Sequence, residues 1–217
     1  DRSSKHQLDL HLGPFTSTST IGLTTVLASL EHAKTDDHIK GIFLDLGLMD
    51  GGFAPLREIR TKLAEFKAET GKPVIAFSEL YTQGAYYLAS VADVVYLQPK
   101  GDLDYRGLRS EYMFYKGLFD KLDVEVQFIR GSNNEFKSFG EVYTEDRMSP
   151  ANRAQIRLIL DGFWNDHRTA ISGARKIAGD RLDVIADSLL VRSADDALAL
   201  GMVDGVKYRD EVIAELK

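Results

Sequence analysis

The stretch GKPVIAFSELYTQGAYYLASVADVVYLQP, Gly71 to Pro99, sets two short apolar runs on either side of a helix-forming segment. KPVIAF is bounded by turn residues and too short for a helix of its own, so it reads as a strand. After the turn at Thr82-Gln83-Gly84, TQGAYYLASVAD reads as a short buried helix and VVYLQP as the next strand. Apolar runs alternating with helical segments mark an α/β domain rather than a helix bundle or a sandwich.

The alternation continues outward in both directions. Upstream, Leu56, Ile59, Leu63 and Phe66 recur at helical spacing, and Gly71 stands where a helix end favours a left-handed residue. IKGIFLDL, residues 39–46, reads as a buried strand before that helix, and Ile21, Val26, Leu27 and Leu30 fall roughly on one helical face. Downstream, EYMFYKGLFDKL (111–122) reads as helical and VEVQFI (124–129) as a strand that runs into the loop GSNNEFKSFGEVYTEDRMSP (131–150). From about residue 149 the chain turns mainly helical. Ser149 suits an N-cap, Pro150 the first helical position, and Ile156, Ile159, Phe163, His167 and Ile171 follow helical spacing. Two shorter helices close the chain, with Ser193 and Asp196 in the pattern of a capping box before ALALG. With no linker or low-complexity tract, residues 1–217 read as a single domain.

Composition removes several classes of function. A net charge of −6 without any Lys/Arg block argues against nucleic acid as a partner. The absence of cysteine excludes thiol catalysis and disulfides. No apolar run approaches the roughly 20 residues a membrane-spanning helix needs. Phosphate-loop, dinucleotide and zinc-peptidase motifs are missing, and the five histidines lack ligand spacing, so neither a metal nor an organic cofactor is expected.

Two glycine turns follow strands and open helices, LGLMDGGFAPL with Gly51 and Gly52, and SELYTQGAYYLAS with Gly84. Such turns can aim backbone N–H groups at a developing oxyanion. They equally serve tight turns and helix–strand packing, the commoner use. Tyr81, Tyr86, Tyr87 and Tyr96 could line a groove, although aromatics at these spacings usually belong to a core.

Taken in order, GIFLDL, DGG, LREIRTKLAEFKAETGKPVIAFSELYTQGAYYLASVADVVYLQP, FYKGLFDKLDVEVQFIRG, FKSFGE, DRMSP and SADDALALGMVDG resemble the N-terminal half of the protease IV family, bacterial signal peptide peptidases of the ClpP/crotonase fold. The resemblance implies a spiral α/β domain of that fold with a mainly helical C-terminal part. In the long form of the family a K-S-x-x-E motif carries the general-base lysine, which falls here on Lys137 with Ser138 and Glu141. The family's nucleophilic serine sits in an S-G-G-Y turn of the other half. The equivalent turn here puts Gln83 at that position, a degenerate nucleophile site, with the hydroxyl of Thr82 one residue off. Side chains of neighbours such as Lys137 and Ser138 diverge, so that pair makes a poor dyad and a serine must come from elsewhere.

The resemblance further implies a serine-bearing C-terminal half as partner, signal peptides as substrates, and a membrane-anchored tetramer working outside the cytoplasm. The present chain would then be an inactive N-terminal piece. Two alternatives stay open on the residues alone, a crotonase-type acyl-CoA enzyme and a non-catalytic assembly scaffold.

Overall fold

A computed structural model describes residues 21–47, 52–129, 131 and 136–217. Along the chain come α1 (Leu23–Thr35), β1 (Ile42–Asp45), α2 (Phe53–Thr70), β2 (Val74–Tyr81), α3 (Gln83–Ala89) and β3 (Val94–Leu103). The next elements are α4 (Lys116–Lys121), the single turn α5 (Glu141–Thr144) and the long α6 (Pro150–Arg175). Then follow α7 (Gly179–Asp187), α8 (Ala194–Ala199), β4 (Gly205–Val206) and α9 (Arg209–Glu215). The chain forms two compact units, one of the residues through Gly107 together with His167–Lys217, the other of Leu108–Asp166.

The larger unit is built on a parallel sheet in the order β1-β2-β3-β4. Strands inside a parallel sheet are covered on both faces and so read as continuous apolar runs. Accordingly Val74, Ala76, Phe77 and Tyr81 of β2 and Val95 and Leu97 of β3 are buried. β1 is shorter and more exposed than the run 39–46 suggests. Its pairing begins only where the Ile42 N–H reaches the Pro73 carbonyl at 2.9 Å, and as the edge strand among the described residues it is half-buried.

β3, in contrast, passes through Pro99 and ends at Leu103. The ladder pairs Ser78 with Leu97 and then Leu80 with Asp102, so residues 98–101 bulge opposite Glu79. A bulge tolerates the missing proline N–H. On β2 the Ser78 hydroxyl accepts from the Leu80 N–H at 3.0 Å and lies within donating reach of the Leu80 carbonyl at 2.8 Å and the Leu46 carbonyl at 2.5 Å. Gly101 is needed because a Cβ there would lie 2.4 Å from the Glu79 carbonyl oxygen.

Helix α2 presents Leu56, Leu63 and Phe66 to the core and ends at Gly71 with φ of 66°, a left-handed value that glycine adopts without steric cost. Arg60 on the same helix is buried, and its guanidinium donates to the carbonyl of Tyr87, to Ser90 Oγ at 2.7 Å and to the Ala170 carbonyl at 2.9 Å. It also lies 4.8 Å over the Tyr87 ring. Beside it the His167 ring stacks on Tyr87 at 5.0 Å and on Tyr105 at 6.1 Å. Burial first, and the charge of Arg60 second, hold the imidazole pKa at about 4. At the end of α6, Arg175 gives Asp204 two bonds of 2.8 and 2.7 Å, while the same carboxylate accepts the Val95 N–H at 2.8 Å.

The smaller unit departs from two expectations. The helix foreseen over 111–122 forms only at Lys116–Lys121, and VEVQFI forms no strand. A strand needs a ladder, and the described residues offer 124–129 none. The Val124 N–H turns back to the Phe119 carbonyl at 3.0 Å, and Ile129 is 95% exposed. Order comes instead from aromatic packing, with Tyr143 contacting the rings of Tyr115 at 6.1 Å, Phe119 at 6.3 Å and Phe139 at 6.4 Å. In the C-terminal region three short helices, not two, follow α6. No described helix is long and apolar enough to cross a membrane.

Candidate active site

Lys137 is exposed, one residue before the half-buried Ser138. Both border a pocket of about 520 Å³ whose other walls are Phe128, Ile129, Phe136 and Phe139 with Gly131. The loop closes just beyond the lysine, where the Glu141 N–H donates to the Ser138 carbonyl at 3.0 Å.

Glu141 itself is only 6% exposed. Its carboxylate accepts from the Ser149 N–H at 3.1 Å, from Ser149 Oγ at 2.6 Å and from Asn152 Nδ2 at 3.0 Å. Ser149 is at the same time the cap foreseen for α6, since its Oγ accepts the Asn152 N–H at 3.2 Å. Gly140 lies under the Phe128 ring, where a Cβ would come within 2.4 Å of ring carbon. Asn152, Gly140 and Phe128 were not singled out by the sequence reading. Only the glycine inside KSFGE offered a local signal, because the other two matter through contacts between distant residues.

The remaining site residues belong to the larger unit. Gln83 opens α3 and turns its amide to the local backbone, accepting from the N–H groups of Arg106 at 3.1 Å and Gly107 at 2.9 Å and donating to the Gly107 carbonyl at 3.1 Å. Thr82 caps the same helix, its hydroxyl accepting the Ala85 N–H at 3.2 Å. That oxygen is engaged as the cap of α3. Gly84 packs close to Leu56, whose Cδ1 would lie 3.0 Å from an added Cβ. Gly52 caps α2, whereas Gly51 lies outside the described residues, as do Ser132, Asn133 and Asn134 of the lysine loop. Tyr81, Tyr86 and Tyr87 are core side chains, and Tyr96 is half-buried.

The sequence profile of peptidase family S49 matches residues 66–217, from the end of α2 through the lysine loop to the C-terminus. The chain belongs to peptidase family S49. Among curated relatives, Protease 4 of Haemophilus influenzae is 36% identical over 158 residues, covering 72% of this chain and 25% of that protein. Protease 4 of Salmonella typhi is 36% identical over 180 residues, 81% of this chain and 29% of the relative. The chloroplastic serine protease SPPA of Arabidopsis thaliana is 23% identical over 201 residues, 92% and 29% of the two chains. The chain thus spans between a quarter and three tenths of the length of these S49 proteins. The mixed α/β architecture with its parallel sheet agrees with the ClpP/crotonase-like fold of S49.

Proposed function

We propose that this chain belongs to the lysine-bearing N-terminal half of an S49 serine peptidase that degrades cleaved signal peptides with a Ser/Lys dyad. The observation that carries the reading is the K-S-x-x-E sequence at Lys137, Ser138 and Glu141, inside the stretch matched by the family, with Lys137 and Ser138 bordering a pocket with apolar walls. The occupation of Gln83 and Thr82 with hydrogen bonds to the local backbone supports a serine supplied from elsewhere.

A lysine accepts a proton only when neutral, and at the ordinary pKa of ~10.4 only about one in 2500 is neutral at pH 7. Surroundings stripped of water disfavour the ammonium. The serine-bearing C-terminal half provides that cover in this reading. Neutral Lys137 takes the serine proton, and the serine oxygen attacks the peptide carbonyl. Backbone N–H groups of the other half's glycine turn hold the oxyanion, and Lys137 then protonates the leaving amine. Water releases the acyl group by the same proton route. The complete protein would work as a tetramer at the bacterial cell membrane, with its catalytic part outside the cytoplasm. The match to a peptidase family speaks against the acyl-CoA alternative.

The test is substitution in the complete protein, followed by hydrolysis of casein and of a peptide ester. Lys137→Ala and Lys137→Arg are both expected to lose all measurable turnover, the latter because guanidinium stays charged. Turnover near the unsubstituted rate in folded Lys137→Arg protein removes the lysine from the mechanism and restores the scaffold alternative.

A further inference from the structure

We infer that Glu141, Ser149 and Asn152 form a clasp that positions Lys137 by fastening its loop to the start of α6. The inference rests on the reading of Lys137 as the general base. Glu141 works from both ends. Its N–H holds the Ser138 carbonyl at 3.0 Å, next to the lysine, while its buried carboxylate takes bonds of 3.1, 2.6 and 3.0 Å from Ser149 and Asn152. The Ser149 hydroxyl works in both senses, donating to Glu141 and accepting the Asn152 N–H. The clasp lies at the N-terminus of a 26-residue helix, whose unpaired N–H groups and positive dipole end favour a carboxylate.

Burying a charge is unfavourable unless it is well bonded, and an apolar residue would fill the same space without that penalty. What a carboxylate adds is direction. Gly140, pressed beneath the Phe128 ring, removes the slack on the other side of the turn. The backbone beside Lys137 is thereby tied, through Glu141 four residues on, to the start of α6. Reacting groups displaced by about 1 Å lose about 100-fold in rate.

The experiment compares kcat and KM for a peptide substrate in the complete protein, each corrected for the folded fraction by circular dichroism. Glu141→Gln turns one acceptor into a donor facing donors. It is expected to lower kcat by about 100-fold with KM within about twofold. Asn152→Ala removes a single donor and should lower kcat about tenfold. If Glu141→Gln fails to fold, this second variant decides. The pair Glu141→Gln/Asn152→Asp reverses donor and acceptor across the same contact and should recover at least about tenfold of the kcat lost by Glu141→Gln. Unchanged kcat in Asn152→Ala, or equal changes in kcat and KM, overturns the clasp. Lys137→Ala run alongside separates the two ideas. If it is inactive while the clasp variants are normal, only the clasp falls. If it is active, the base assignment falls and the clasp with it.

Discussion

His167 shows how one buried ring can tie stability to pH. Its pKa of about 4 in the folded chain lies below the ordinary value of about 6.5 for an unfolded one, because burial, and then Arg60, disfavour the imidazolium. Between those two values the unfolded chain takes up a proton that the folded chain refuses. Stability from this residue is therefore complete above pH 6.5, falls as pH falls through the window and levels off below about 4, the whole change amounting to about 3 kcal/mol. His167→Phe keeps a flat ring against Tyr87 and Tyr105. It is expected to flatten the fall in melting temperature between pH 6.5 and 4, whatever its stability at neutral pH. Parallel slopes in the two proteins, as carboxylates titrate in both, would remove the histidine as the cause.

At the scale of elements, the bulge between β2 and β3 and the long helix α6 make opposite demands on glycine. A methyl at position 101 meets the Glu79 carbonyl oxygen at 2.4 Å, whereas one at position 173, inside α6, meets nothing within 4 Å. Gly101→Ala should cost about 1–3 kcal/mol, and Gly173→Ala should gain about 0.5–1 kcal/mol. Urea unfolding of both variants checks the pair, and a tolerated alanine at 101 would mean that the bulge is soft. The same bulge explains what the sequence left hidden. α2, β2 and α3 were legible because helical spacing, a glycine cap and short bounded runs are local signals. Pro99 argued locally for the end of β3, and only pairing across strands carries the ladder past it. VEVQFI failed for the reverse reason, since its local pattern is that of a strand but a strand exists only with a partner. In the site, Lys137, Ser138 and Glu141 were named through family likeness. The bond from Asn152, eleven residues from Glu141, has no local signature at all.

For the whole molecule, the two units differ in what they leave in water. Among the described residues the smaller unit exposes most of the large apolar side chains, including Met113, Leu122, Ile129, Phe136, Phe139 and Leu158. Apolar surface gathered in this way commonly marks a region that another protein covers. The serine-bearing half and neighbouring copies are the covers that the proposed function calls for. Segment 124–129 lets that be timed with deuterium. The N–H groups of residues 125–129 have no backbone acceptor among the described residues, whereas those of β2 are held inside a ladder. In this chain alone, amides 125–129 should therefore take up deuterium within the first seconds while β2 resists for hours. In the complete protein the same peptide should become protected. Fast exchange persisting there would mean that the segment stays uncovered and that the halves meet elsewhere. The run, which lacks backbone acceptors among the described residues, would thus serve as a built-in clock for the proposed assembly, one that needs neither a label nor an active enzyme.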